Sequence, residues 1–131
     1  MQATKKINTL NNEIWIDADG ILMLKLTGKE IEMELEEVKE CFEAYKTLGC
    51  GPHNKVLQII DFTGEGSMTV EARNYVAETG RHFFIASAII NKSIAVRLIV
   101  NFFNTFYQHP IPFKIFSNEV DARKWLMTFR K

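Results

Sequence analysis

Several features that would reveal a function are missing from this sequence. No apolar run approaches the roughly 18 residues that a membrane-spanning helix needs, so no membrane span is expected. Lysine plus arginine number 16 and aspartate plus glutamate number 16, which leaves no net charge. A nucleic-acid binder needs a basic face to neutralise phosphates. The charge balance argues against one, and clusters such as "TKKI" are too short to supply it. The two cysteines, Cys41 and Cys50, match no metal-ligand spacing. The three histidines, His53, His82 and His109, lie far apart in turns or loop edges and form no H-E-x-x-H pair. Each reads as a surface histidine, and no metal or cofactor is expected.

Nucleophile and phosphate motifs are missing too. There is no G-x-S-x-G elbow, and neither cysteine has a matched base. A P-loop needs a lysine after its last glycine, and none is present. Gly64-Glu65-Gly66 is a bare G-x-G whose glutamate would repel phosphate. Nothing supports catalysis, and the expectation is a protein that is not an enzyme.

What is present describes a folded domain. The chain has 131 residues, with 47% hydrophobic and 24% charged, a composition typical of a globular protein. A chain of this length buries about two-thirds of the surface exposed by its unfolded form. We read residues 1–131 as one domain, with residues 1–11 as an N-terminal extension. Lys5 and Lys6 are followed by polar residues, so no signal peptide is expected. Two reduced thiols in a cytoplasmic protein are the corresponding expectation.

Apolar spacing places the elements. In "NEIWIDADGILMLKL", Asp19-Gly20 separates two strand-like runs and predicts a hairpin with a type I′ turn. "KEIEMELEE" begins as a short strand with a wet acidic face. From Leu35 the period changes to three and four, through Val38, Phe42, Tyr45 and Leu48, which is a helix that stops at Gly49. "KVLQIIDF" suits a central strand covered on both faces. Ser67 or Thr69 is placed to cap a helix through about Gly80, with Glu71 in its first turn. "FFIASAII" suits a buried strand, Ser93 a cap for a helix to about Gln108, and "FKIF" a further strand. Ser117 or Asn118 then caps a last helix with Ala122, Trp125, Leu126 and Phe129 inward. Strands alternating with helices predict an α/β fold: a mixed sheet of about five strands with helices packed against it and the hairpin at one edge. The six glutamates between Glu30 and Glu40 read as a solvated face. Their spacing is not that of a calcium loop.

With this element order, the chain resembles the STAS (sulphate transporter and anti-sigma antagonist) and SpoIIAA-like families over residues 12 to 130. The stretches that carry the resemblance are "NEIWIDADGILMLKL", "IIDFTG", "EARNYVAE", "AIINKSIAVRLIVNFF" and "PFKIFSNEVDARKWL". They are most similar to small bacterial STAS-like proteins of unknown function. The resemblance implies a single-domain STAS-like fold and a regulatory, protein-binding role similar to that of anti-sigma factor antagonists. In those antagonists the loop after the central strand carries an Asp-Ser-Ser/Thr-Gly signature, and a serine there is phosphorylated by a partner kinase to switch binding. The equivalent stretch here is Thr63 to Val70, after Asp61. Ser67 is the nearest match, with Thr69 second. The aspartate before the serine and the glycine after it are missing, and Glu65 and Glu71 flank the site. Asp61, Thr63, Ser67 and Thr69 are therefore the candidate phospho-acceptor or partner loop. A helix N-terminus favours phosphate, whereas two nearby carboxylates oppose it. A plain helix cap is the simpler reading.

The helix "SIAVRLIVNFFNTFYQ" is unusual. Arg97, Asn101, Asn104 and Gln108 form one narrow polar stripe. Ala95, Ile99, Phe102 and Phe106 lie opposite and suit the sheet. A second apolar row, Val96, Val100, Phe103 and Tyr107, needs a partner of its own. A neighbouring helix of the same domain would serve. So would a second chain, and a homodimer burying this row is the expectation. Two functions remain open: a non-enzymatic interaction module with a protein partner, or a carrier or sensor of a small apolar ligand or lipid.

Overall fold

The computed structural model describes residues 5–27, 30–62, 65–94, 97 and 111–130. Apolar alternation builds an antiparallel hairpin from β2 (Asn12–Ile16) and β3 (Leu22–Leu26), with Ile16 opposite Leu22. The hairpin lies where Asp19-Gly20 predicts it, but its turn is not type I′. Gly20 has φ +77°, and no described non-glycine residue has a positive φ. The Gly20 N–H donates to Asp17 O at 3.0 Å, and the Asp17 N–H donates to Ile21 O at 3.0 Å. This is a type I turn closed by a left-handed glycine. Asp17 decides the turn, because its Oδ1 accepts the N–H groups of Asp19 (2.9 Å) and Ile21 (3.0 Å). β1 (Lys6–Asn8) pairs antiparallel with β2, so the N-terminal stretch contributes an edge strand.

β5 (Val56–Asp61), β7 (Phe84–Ile90) and β8 (Phe113–Phe116) complete a six-stranded sheet of order β1-β2-β3-β5-β7-β8. The pairs β3–β5, β5–β7 and β7–β8 are parallel. β5 is therefore central, as its apolar run predicts, and Leu57, Gln58 and Ile59 are buried.

Three helices are described. α1 (Leu35–Thr47) buries Val38, Cys41, Phe42, Ala44 and Tyr45. It ends where predicted, at Gly49 with φ +93°. Cys50 N–H donates to Tyr45 O and Gly49 N–H to Lys46 O, a Schellman motif. α2 (Val70–Gly80) is capped by Thr69, and α3 (Glu119–Met127) by Asn118, whose Oδ1 accepts the Asp121 N–H at 2.9 Å. Ile94 opens a helical turn after Ser93, with the Arg97 N–H donating to Ser93 O at 3.1 Å.

The sheet separates two cores. On one face, α1 and α2 cover Ile14, Leu22, Leu24 and Phe84 around an aromatic cluster. Phe42 lies at its centre, in edge contact with Tyr45, Phe83 and Tyr75 at 4.9, 5.1 and 5.4 Å. On the other face, Ala86 and Ala88 let α3 approach through Ala122 and Leu126. Arg123 ties α3 to the hairpin, donating to Asp17 at 2.6 Å and Asp19 at 3.2 Å, and it also pairs with Glu119 of its own helix at 2.8 Å.

One stretch departs from the sequence reading. Residues 65–68, expected as part of a loop, form a strand. β4 (Glu30–Met33) and β6 (Glu65–Met68) pair in parallel as a separate two-stranded sheet, with Met33 opposite Met68. The expected strand in "KEIEMELEE" is therefore present but outside the main sheet.

Candidate interaction site

β5 ends in Asp61, and the chain beyond it is held to β7. The Phe62 N–H donates to Ile90 O at 2.9 Å, and Asn91 Nδ2 donates to Phe62 O at 3.1 Å. Asp61 is half-buried, in register with Lys25 on one side and Ile90 on the other. Thr63 lies outside the described residues. Ser67 sits within β6, its backbone opposite Glu32, so it is not the cap of α2. Thr69 is. Its Oγ1 accepts the Ala72 N–H at 3.2 Å, and its own N–H donates to Met33 O at 3.1 Å. That second bond joins the end of β4 to the start of α2. The apolar row Val96, Val100, Phe103 and Tyr107 lies outside the described residues.

The fold thus brings Ser67, Thr69 and the acidic stretch together, which no sequence motif indicates. β4 runs directly into α1, and β6 runs into α2 through Thr69. Both helix N-termini therefore adjoin the two-stranded sheet. Glu32, Glu34, Glu36 and Glu40 are exposed along this edge. Glu36 and Glu37 lie in the first turn of α1, where the helix dipole favours acids. Glu37 also accepts from Asn11 Nδ2 at 2.7 Å. The alternation of Ile31 and Met33 was a legible signal for β4. "EGSM" carries none, because its pairing is supplied by β4.

Beneath the pair, Leu24, Met33, Val38, Ile60 and Met68 surround an apolar cavity of about 40 Å³. One wall is polar. Ser87 Oγ donates to Gln58 Oε1 at 2.8 Å, and Gln58 Nε2 donates to Tyr45 OH at 3.3 Å. Burial holds the Tyr45 hydroxyl well above its ordinary pKa. Nearby, Asn12 Nδ2 donates to Cys41 Sγ at 3.5 Å. Burial pushes the Cys41 thiol up to about 12, and Glu40 and Glu37 act the same way. The Thr9 hydroxyl beside the thiol opposes this, although it forms no hydrogen bond within ordinary limits. Thr9 Oγ1 and Asn12 Oδ1 are thus without a partner among the described residues. A thiol so protonated is a poor nucleophile. Among the described residues, no cluster of His, Cys, Asp and Glu is arranged to hold a metal ion. No described helix is long and apolar enough to cross a membrane.

This architecture has a counterpart among solved structures. An uncharacterized protein of the DUF3478 family from Shewanella loihica PV-4, with a SpoIIAA-like fold, superposes with a TM-score of 0.62. The match covers 95% of this chain and 92% of that one at 18% sequence identity. The SpoIIAA-like fold expected from the sequence is therefore present. A search of the curated proteins finds no match. The family profile of DUF7793, a domain of unknown function, matches residues 14–130, and the chain belongs to that family.

Proposed function

We propose that this DUF7793 protein is a non-enzymatic interaction module, and that the β4–β6 pair with the first turns of α1 and α2 is the face that meets its protein partner. The role is similar to that of the STAS regulators the sequence resembles, and the setting is cytoplasmic. The observation that carries the reading is the fate of the segment after the central strand. It leaves the main sheet and forms a two-stranded parallel pair with β4. Two strands alone are marginal in water. Among the described residues neither strand has a second neighbour, and on this reading a partner adds a strand to the pair. The exposed glutamates beside the pair favour a basic partner segment. Ser67 is the residue for a phosphate switch, because the Thr69 hydroxyl is already committed to its cap.

The homodimer belongs to the same proposal. It rests on the sequence pattern of Val96, Val100, Phe103 and Tyr107. The ligand-carrier reading draws no support from the cavity under α1 and α2. Its volume of about 40 Å³ is far below the roughly 300–1,000 Å³ of ligand pockets.

The test is affinity capture from the native host with wild type and with Glu32→Lys/Glu34→Lys. Both positions are exposed, so the variant keeps its fold. A partner held by wild type and lost by the variant supports the assignment. Equal capture by both moves the interface elsewhere. Ser67→Glu, compared with Ser67→Ala, then tests the switch: only the glutamate should alter capture.

A further inference from the structure

At the other end of the parallel strands, away from β4–β6, lies a groove of about 470 Å³. It is bounded by Gly20 of the hairpin turn, Lys55 and Val56 at the start of β5, Ile85 at the start of β7, and Phe129 and Arg130 after α3. It is a shallow groove, open to solvent along one side.

One irregularity shapes it. Val56 pairs with Phe84, but Leu57 pairs with Ala86. Ile85 is thus an extra residue on β7, a β-bulge. Bulges re-aim side chains and are enriched beside binding sites. Phe84 packs in the α1–α2 core and Ala86 in the α3 core, whereas Ile85 joins neither and is 42% exposed. Phe129, partly buried against the α3 core, supplies a second apolar wall.

The rim carries two exposed cations, Lys55 and Arg130. Neither makes an ion pair among the described residues. The acids of the adjoining turn, Asp17 and Asp19, pair with Arg123, which they share with Glu119. The Arg130 guanidinium lies over that turn, 3.8 Å from where a Cβ on Gly20 would sit. Apolar walls under a rim whose two cations have no ion-pair partner among the described residues are complementary to an amphiphilic anion. We propose that this groove binds a small carboxylate with an apolar alkyl or aryl body. The carboxylate lies toward Lys55 and Arg130, and the body rests on Ile85 and Phe129. A neutral apolar molecule would leave both cations unused. A simple inorganic anion would leave Ile85 exposed.

The test titrates octanoate into the full chain labelled with nitrogen-15 and follows the amide resonances. We expect saturable shifts at Gly20, Lys55, Ile85 and Arg130 by about 10 mM octanoate, the range of a weak single site. Propionate, which lacks the apolar body, and 1-octanol, which lacks the charge, should give no saturable shifts there. Lys55→Glu/Arg130→Glu should weaken octanoate binding about tenfold or more, with an unchanged thermal melt. Ile85→Asn should weaken it without touching the cations. The proposal is overturned if octanoate shows no saturation, or if octanol matches it. It also fails if the shifts fall at Val38 and Met68, or if both variants bind like wild type. The groove lies at the opposite end of the strands from the partner face, so either assignment can fail alone.

Discussion

Replacing Gln58 with leucine tests whether the polar contacts inside the sheet hold the α1 face in register. Gln58 is 4% exposed on the central strand. It accepts from Ser87 at 2.8 Å and donates to Tyr45 at 3.3 Å. Leucine fills a similar volume, so the loss is mainly that of partners. Each stranded buried hydroxyl costs about 1–3 kcal/mol. The Tyr45 bond is long, which puts its share at the low end of that range. Extra apolar burial returns about 1 kcal/mol. The net expected loss is about 1–3 kcal/mol, a large part of the roughly 5–15 kcal/mol that holds a domain together. Urea denaturation should show a lower midpoint with an unchanged slope. The informative comparison is the triple variant Tyr45→Phe/Gln58→Leu/Ser87→Ala. Removing all partners together strands no group, so it should regain most of the loss. A triple variant less stable than Gln58→Leu alone would refute the reasoning.

Thr69→Ala should lower stability by about 1 kcal/mol through loss of the α2 cap, whereas Thr69→Ser should be nearly neutral in the same urea titration. Burial raises Cys41 from its ordinary value of 9.0 to about 12, and Cys50 and Tyr45 move in the same direction. The unfolded chain therefore loses these protons first as pH rises. Their contribution is complete below about pH 9 and lost toward pH 12. The urea midpoint should fall across that window, and Cys41→Ala should flatten part of the fall. A flat wild-type profile would contradict it. Phe103→Asp should convert a sedimenting dimer into a folded monomer. A wild type already monomeric at tens of micromolar, on roughly that order, removes the dimer, and outright unfolding assigns the row to the domain's own core.

The elements with strong local signals were legible. The hairpin, the period change at Leu35, the stop at Gly49 and the central position of "VLQIID" each follow from spacing or from a glycine's backbone freedom. The turn type was not, because it is set by the Asp17 side chain and not by the Asp-Gly pair. β6 was not legible either. "EGSM" has one large apolar residue and two glycine-adjacent positions, and it becomes a strand only through β4, more than thirty residues earlier. Of the candidate site, the sequence supplied Ser67, Thr69 and the acidic run separately. Their shared edge depends on that long-range pairing.

"FFIASAII" shows the same limit within a single strand. Simple alternation puts residues 84, 86, 88 and 90 on one face. In the structure Phe84 belongs to the α1–α2 core, while Ala86, Ala88 and Ile90 belong to the α3 core. A one-residue slip reverses which face every later side chain takes, and the bulge at Ile85 supplies that slip. Each core then receives what it needs. Phe84 reaches Tyr45 at 5.2 Å in the aromatic cluster, and the two alanines leave room for α3. A regular strand would set Phe84 against α3 or the alanines under α1, leaving a clash on one face and a void on the other. Ile85 is the residue left over. Its exposure beside Lys55 and Arg130 therefore arises from the way both cores are satisfied, and the groove it walls is a consequence of packing that a ligand can use.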